Sequence, residues 1–480
     1  MTTLADDLRA YWEQAEGTTL LGLAAELLPF YRQRPHTDYL TERLTEAIEA
    51  VENGEDRRLI VEMPPGQGKS SMCSVALPLY ALSRNPGWEV LLVSAEASLA
   101  TKFSRDCRRH VTDGNVPNVH LSAESAAVTE WETSENGSVV ARGVGGQITG
   151  RRARLLVIDD PLKNLTEAHS RFQRDLLWDT WQSVLKPRLR PGALVVLVPT
   201  RWHEDDLAGR LFDHDPDGWE RIRLPALAEP DDLLGREIGE PLLTPQASET
   251  PAQALERWDQ LRTEVGSYVW GALYQQRPSP TSGQVFNPDW WQRYETPPEG
   301  TTTITSWDLS FTDTGDYAVG QVWTLADGRF YLIDQVRGRW SFTQQVHQIR
   351  ALADRYPHAT AHIVEAAANG HAAVDELKRE IPGIIGEPAR GSKEIRAQAV
   401  APLVEAKQVF IPERSPWLTD WLSEVTGFPS GAPHDDQVDA MSQALKRLRS
   451  PMTGTVSVNP ASVGLPSQGS SSLSSFRRGR

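Results

Sequence analysis

Between Arg57 and about Leu224, apolar runs of strand length (RLIVEM, WEVLLVS, RLLVIDD, ALVVLVP) alternate with longer mixed segments of helical character. Runs that are apolar at nearly every position are buried on both faces, so this region predicts an α/β domain around a mainly parallel sheet. SENGSVVARG sets Asn136 and Gly137 between β-prone flanks and reads as a hairpin turn. From Pro225 to about Gly300 the pattern gives way to Pro, acids and Trp, with one helix predicted around Pro251 to Gln276. Beyond it, TTTITSWDLSF, YAVGQVWTL and RFYLIDQVRG are rich in β-branched and aromatic residues, and a turn at Ala326 to Gly328 joins the last two. They predict an antiparallel meander, to which AHIVEA adds a fourth strand and DDQVDAMSQALKRL a closing helix. After Ser450 the chain is rich in Ser, Gly and Pro and has no acid, a composition that predicts disorder. The expected organisation is a helical segment over 1–34, a first α/β domain over 35–225, a connector over 226–300, a second domain with a mixed sheet over 301–449, and a disordered basic tail over 450–480.

Composition narrows the class. At 480 residues and 39% apolar, the chain can bury sizeable cores, which excludes a small disulfide scaffold. Cys73 and Cys107 are too few for a structural zinc site or a disulfide framework and point to a reducing compartment, the cytoplasm by default. The N-terminus lacks a signal pattern and no run reaches the roughly 18 apolar residues of a membrane span, so a soluble protein without a membrane partner is expected. The formal charge of -15 excludes a uniformly basic nucleic-acid binder. Basic residues nevertheless cluster at Arg105, Arg108 and Arg109, at Arg151, Arg152 and Arg154, and at Lys186, Arg188 and Arg190, which leaves room for a local binding face.

RLIVEMPPGQGKSS is a strand, a Gly-rich turn and the start of a helix-compatible run, the context of a phosphate-binding P-loop. After Pro65, the backbone N–H groups of Gly66, Gln67, Gly68 and Lys69 can turn inward around a polyphosphate, and a helix N-terminus adds partial positive charge. Lys69 is expected on the β and γ phosphates and Ser70 on magnesium, with Ser71 beside them, a set that predicts ATP and Mg²⁺ as cofactors. Met63 stands where such loops usually carry their first glycine. RLLVIDDP ends a buried strand in Asp159, the expected metal-side acid, and Asp160, which is one methylene shorter than the glutamate that usually orients water there. ALVVLVPTRW ends in Thr200, expected near the γ phosphate, and in Arg201, which reads equally as a phosphate sensor or a turn cap. In GVGGQITGRR, Arg151 or Arg152 is a candidate arginine finger toward a neighbour's ATP or a DNA-phosphate contact, with a surface loop as the plain alternative.

A second set of acids lies in the C-terminal region. Asp308 sits in an otherwise apolar strand, where an unpaired charge is costly, and Glu365 repeats the pattern in AHIVEA. Asp435, Asp436 and Asp439 open the closing helix, and a start near Asp435 puts Asp436 and Asp439 on one face. Acids from the first strand, the fourth strand and the last helix converge in a ribonuclease H-like fold. Two magnesium ions about 3.5–4 Å apart there activate a water and stabilise the leaving oxygen of a phosphodiester, with Mn²⁺ as a substitute. The third acid stays open among Asp435, Asp436 and Asp439, and the first two also read as helix N-caps. Asp308 alone also reads as the partner of a nearby Arg. Asp313, Asp316 and Asp334 read as turn or edge residues, His434 as a local hydrogen-bond donor with a lesser claim on the metal site, and Trp290, Trp291 and Trp307 as packing.

MPPGQGKS, LLVIDD and VPTRW, followed by ALYQQRPSP and then SWDLS, IVEA and HDDQVDAM, make the chain similar to the large terminase subunits of tailed bacteriophages from about Pro35 to about Leu445. The resemblance implies a P-loop NTPase domain joined to a ribonuclease H-like nuclease domain. It implies a motor that hydrolyses ATP to pump double-stranded DNA into a procapsid and that cuts concatemeric DNA. Lys69 and Ser70 would hold phosphate and magnesium, Asp159 and Asp160 form the hydrolytic site, Thr200 couple it to movement, and Asp308, Glu365 and Asp436 hold the nuclease metals. Implied partners are the portal protein and the small terminase subunit. A homo-oligomeric ring on the procapsid, monomers when free, and residence in the host bacterial cytoplasm and at the portal vertex but not in the mature virion complete the expectation. Two other readings stay open: a translocase or helicase whose C-terminal unit only binds DNA, and a ribonuclease H-like resolvase with a nucleotide switch. The six Lys and Arg residues between Lys446 and Arg480 are either a contact for DNA, portal or small subunit, or a solvated end.

Overall fold

In the computed structural model the described residues are 19–28, 32–123, 127–148, 150–278, 285–299, 302–310, 316–366, 368–429 and 434–449. The expected basic tail and Asp313 lie outside them. Chain order opens with α1 (Leu20–Leu27), α2 (Pro35–Glu52) and β1 (Arg57–Glu62). Helical turns Lys69–Ser71, Met72–Ala76 and Leu77–Arg84 then run on as one rod, α3 (69–84). There follow β2 (Glu89–Ser94), α4 (Ala97–Thr112), β3 (Glu130–Glu132), β4 (Ser138–Gly143), β5 (Ala153–Asp159), α5 (Leu165–His169), α6 (Arg171–Thr180), β6 (Leu189–Val198), α7 (Leu207–His214) and β7 (Glu220–Arg223).

These strands form one sheet in the order β3-β4-β2-β5-β6-β1-β7, parallel throughout except for the β3–β4 hairpin. The hairpin turns at Asn136, whose φ is 62°, where the Asn-Gly pair predicts it. Successive strand residues face opposite sides, which explains the unbroken apolar runs. Leu59, Val61, Leu92, Val157 and Val196 pack under α1 to α4, while Ile60, Leu91, Ile158, Val195 and Leu197 pack under α5 to α7. Residues 19–28 belong to this unit: Leu20, Leu23 and Leu27 are in its core, and Thr19 Oγ1 caps α1 by accepting from Gly22 N at 3.1 Å.

The segment after β7 carries α8 (Pro251–Val269), opened by a Thr250/Gln253 capping box. Trp258, Trp270 and Tyr274 cluster there, and Trp258 Nε1 donates to the Leu242 carbonyl at 2.9 Å. Then come β8 (Gln292–Tyr294), β9 (Thr302–Asp308), β10 (Ala318–Ala326), β11 (Arg329–Gly338), α9 (Phe342–Arg355), β12 (Ala361–Glu365), α10 (Ala368–Leu377), β13 (Ile384–Glu387), α11 (Lys393–Glu405), β14 (Val409–Pro412), α12 (Leu418–Gly427) and α13 (Asp436–Arg449). The second sheet runs β13-β12-β9-β10-β11-β14-β8, with β9-β10-β11 as the predicted antiparallel meander and parallel pairs elsewhere. Its edge strand β8 comes from the segment that the sequence reads as connector. Ile304, Trp323 and Ile363 face α11, α12 and α13, and Trp307, Val322 and Val364 face α9 and α10. The fold is thus a P-loop NTPase unit with a mainly parallel sheet followed by a ribonuclease H-like unit with a mixed one. Among the described residues no helix is long and apolar enough to cross a membrane.

A buried amide chain locks α13 onto the second sheet. Gln321 Nε2 donates to Gln335 Oε1 at 2.9 Å and to the Gln437 carbonyl at 3.0 Å, and Gln335 Nε2 donates to Gln437 Oε1 at 2.7 Å. Gln437 in turn donates to Glu424 from its backbone and side chain, both at 2.7 Å. Each member satisfies its neighbour, so deleting one orphans two buried groups. Gln335→Leu should therefore destabilise the C-terminal unit by about 1–3 kcal/mol for each orphan. Urea unfolding followed by tryptophan fluorescence checks this, and an unchanged midpoint would show that the amides are not mutually dependent.

Candidate active sites

The phosphate loop forms between β1 and α3. Gly66 and Gly68 have φ of 77° and 89°, a region that side-chain-bearing residues rarely adopt, so the tight turn needs these glycines. Lys69 is buried and folds toward the end of β6, donating to the Pro199 carbonyl at 2.8 Å and to Thr200 Oγ1 at 3.3 Å. Asp159 ends β5, and its carboxylate accepts from Ser70 Oγ at 3.1 Å and from Ser74 Oγ at 2.5 Å. Burial, then the charge of Asp160, pushes the Asp159 carboxyl up to about 6. Asp160 holds φ 44° at the strand tip and accepts from Thr200 Oγ1 at 2.6 Å. Asp160, Thr200 and Pro65 line a cleft of about 300 Å³ that Leu273 of the connector also reaches. Asp159, Ser70 and Lys69 are thus together at the loop, with Asp160 and Thr200 alongside, and Gln67 Oε1 is buried there without a partner among the described residues. Ser71 is exposed one residue beyond Ser70.

Arg201 has a different place from either sequence reading. It is 4% exposed, ion-paired to Glu62 of β1 and, at 2.7 Å, to Asp206, whose other oxygen caps α7. It is a buried brace between the P-loop strand and the loop after β6. Arg151 pairs with Glu130 on β3 at the far edge of the sheet, so β4, β2, β5 and β6 separate it from this chain's own phosphate loop. His36, which the sequence reading passed over, lies beside the Gln67 backbone, and burial lowers its pKa to about 4.

In the second unit, strand register assembles the acids. β9 and β12 are parallel with Trp307 opposite Val364, so Asp308 and Glu365 leave neighbouring tips side by side. Ser306 Oγ donates to the Ala440 carbonyl at 2.8 Å, which seats α13 on β9 with Asp439 facing the same tips. Two cations from the first turn of α11 meet them. Arg396 donates to Glu365 at 3.1 Å and to Asp439 at 2.6 Å, and Lys393 pairs with Asp435 at 2.5 Å and with Asp439 at 3.0 Å. Burial first, then the charges of Asp439 and Glu365, holds the Asp308 carboxyl well above the ordinary carboxylate range. Burial raises Asp439 as well, against the pull of Arg396 and Lys393.

Asp436 and Asp439 are one turn apart but enter different groups. Asp436 is buried, accepts from Tyr317 N at 3.1 Å, and burial lifts it to about 6. Its ligand oxygen, one from Asp316 and a ring nitrogen of His434 all lie within 4.8 Å of one another. Asp316, read as a turn residue, is therefore part of this candidate cation group, and so is His434, whose Nδ1 is buried without a partner among the described residues. Asp435 opens α13, its carbonyl accepting from Val438 and Asp439, while its side chain turns to Lys393. Asp334 is held by Arg355 and Tyr356. An all-carboxylate set at Asp308, Glu365 and Asp439 suits a hard divalent cation such as Mg²⁺ or Mn²⁺.

Residues 305–448 match the family model described as the terminase RNaseH-like domain. The C-terminal unit is a terminase RNaseH-like domain. Similar solved structures include the large terminase from the thermophilic bacteriophage D6E, at 10% identity over 89% of this chain and 98% of that one with a TM-score of 0.49. The HK97 bacteriophage large terminase is 13% identical over 90% and 100%, with a TM-score of 0.38. The large terminase nuclease from thermophilic phage G20c with bound magnesium is 22% identical over 35% and 99%, with a TM-score of 0.28. No curated protein matches the chain. The sequence reading overlooked Ser74, Glu62, Lys393 and Arg396 in the two units. Only Ser74, one helical turn after Ser70, carried a local signal.

Two outcomes follow for the two units. Arg201→Ala leaves Asp206 without its cation and Glu62 with Arg221 alone, which should cost about 3–5 kcal/mol of stability in urea unfolding; a cost under about 1 kcal/mol would remove the brace. In the terminase RNaseH-like domain, protons and a divalent cation compete for carboxyls raised by burial, so Mn²⁺ affinity measured by calorimetry should climb as pH rises through about 6, the value of Asp436. Without the cation the sign reverses: the raised folded-state value of Asp436 means that stability is lost as pH rises from 3.8 through about 6. A flat affinity profile would speak against these acids as ligands.

Proposed function

We propose that the chain is the large subunit of a phage terminase, an ATP-driven DNA translocase that also cuts the DNA by two-metal-ion phosphodiester hydrolysis. The observation that carries this reading is one polypeptide with two carboxylate centres, Asp159 beside a P-loop and Asp308–Glu365–Asp439 in a terminase RNaseH-like domain.

At the first centre, the backbone of Gly66 to Lys69 would cradle the phosphates, with Lys69, which here donates to the Pro199 carbonyl, on a phosphate oxygen. Ser70 and Asp159, the latter held in place by Ser74, would hold Mg²⁺. Asp160, fixed by Thr200, orients the attacking water. Because Thr200 also touches Lys69, it sits between the phosphate contact and the water-orienting acid, where a coupling role belongs. Arg151 or Arg152 serves a neighbouring subunit's nucleotide in a ring, consistent with a position at the sheet edge. At the second centre, Asp308, Glu365 and Asp439 hold the cations, with Asp435 and Asp436 as flanking acids. When bound, Mg²⁺ or Mn²⁺ supplies an activated water and stabilises the leaving oxygen. Double-stranded DNA, the portal protein and the small terminase subunit are the proposed partners, and the host cytoplasm and the procapsid portal vertex the sites of action.

The test pairs two variants. Lys69→Ala should reduce ATP turnover by about 10²-fold or more and leave Mn²⁺-dependent plasmid cleavage in place. Asp308→Asn should do the reverse. If Asp308→Asn cuts like the parent, the nuclease assignment fails and a DNA-binding module remains.

A further inference from the structure

Next to the Asp316–His434–Asp436 group the structure opens a cleft of about 490 Å³ lined by Tyr317, Arg337, Trp340, Trp417, Asp420 and Gln437 among others. Two half-buried indoles stand on it from separate cores. Trp340 packs on the α9 side of the sheet and Trp417 on the α12 side. Trp340 is seated on bare backbone: a Cβ on Gly338 would come within 2.3 Å of its indole, so only glycine lets the ring lie there. Single half-exposed aromatics are common on protein surfaces. Two rigid ones converging from different cores on one concavity form a pair of walls for a flat ligand.

The cations and acids around these walls point to the kind of ligand. Arg337 and Arg339 stack over the Tyr317 ring at 4.0 and 4.6 Å. Arg337 is neutralised by Glu424 at 2.9 Å, whereas Arg339 is exposed and has no carboxylate partner among the described residues. Asp420 at the rim, also exposed and unpaired among the described residues, repels phosphate but accepts from base amino groups. Tyr317 joins the cleft to the acids, since its N–H donates to Asp436 and its ring meets His434 edge-on at 4.9 Å. Aromatic walls with one free guanidinium are the means by which proteins hold single-stranded nucleic acid, and a concavity of this size accepts bases rather than a duplex.

We infer that this cleft seats unpaired bases of the DNA strand lying at the acidic centre, stacked on Trp340 and Trp417, with Arg339 on the adjoining phosphate. The inference rests on the nuclease reading and adds to it a local opening of the duplex beside the cut. Unpairing costs a few kcal/mol per step, which stacking on the two indoles offsets.

The experiment measures binding without cleavage. Fluorescence anisotropy of the full chain in EDTA, with a labelled 20-residue oligothymidylate and with a 20-base-pair duplex, separates strand from duplex recognition. Trp340→Ala and Trp417→Ala should each weaken oligothymidylate binding about 5- to 50-fold, with much smaller effects on the duplex, and Trp417→Phe should restore most of the loss. Arg339→Ala, on the surface and without risk to the core, should weaken binding and lower the salt slope by about 0.7. The cleft is refuted if all these variants bind oligothymidylate like the parent, or if strand and duplex weaken equally. The cutting of Asp308→Asn with Mn²⁺ tests the nuclease reading separately. Normal binding by the tryptophan variants together with inactive Asp308→Asn would reject the cleft and leave the nuclease standing.

Discussion

A carboxylate enclosed at the end of a β-strand loses most of its hydration, and the cost must be met by whatever faces it. This chain accepts that cost at Asp159 and again at Asp308. At Asp159 the compensation comes from the hydroxyls of Ser70 and Ser74 and from the charge of Lys69, all on α3. At Asp308 and its neighbours it comes from Lys393 and Arg396, both on α11. Removing a compensating group from such a site costs more than the pair contributes, because a buried charge is left alone. Position and register of α3 and α11 are therefore tied to the strand tips that they face.

The topology then decides which residues can share a tip. Parallel neighbours end together, so β1, β5 and β6 deliver the phosphate loop, Asp159 and Thr200 to one edge of the first sheet, where ligands of open α/β sheets bind. β9 and β12 do the same with Asp308 and Glu365. An antiparallel neighbour begins where its partner ends. β10 starts beside Asp308, with Val319 opposite it, and this brings Asp316 and Tyr317 to the acidic edge from a segment with no motif of its own. The Asp316–His434–Asp436 group and the aromatic cleft are both consequences of that reversal.

What the sequence discloses and what it hides follow from the range of the interactions. Strand runs, the Asn136 turn, the P-loop and the acids at SWD and IVE are local patterns, readable within a dozen residues, and each sits where its pattern puts it. The partners of those residues are separated by long stretches of chain: Arg201 meets Glu62, Arg396 meets Glu365 and Asp439, and Gln335 meets Gln437, with no period to link them. Arg201 shows the consequence, since a polar residue at a strand tip looks like a ligand contact until its buried partners are known. The three-residue strand β8 is equally silent, because an edge strand that short has no room for alternation. Helix periodicity alone could not separate Asp436 from Asp439; the contacts of α11 and of Tyr317 do.

The connector touches the surroundings of both centres. Leu273 lines the cleft with Asp160 and Thr200, and Tyr268 OH lies 2.9 Å from His169 Nε2 on α5, a few residues after Asp160. One residue earlier, Ser267 N donates to Glu405 at 2.9 Å, at the C-terminal end of α11. The N-terminal end of that helix carries Lys393 and Arg396. A helix of this length is a rod of about 20 Å, stiff along its axis. A shift of the connector against the second sheet must therefore either break the Ser267–Glu405 contact or move the two cations relative to Asp439 and Glu365. A contiguous path is not in itself coupling, yet here its far end is an ion-paired cluster in which small displacements change electrostatic energy steeply. The helix that compensates the buried acids is thus the same element that the connector touches.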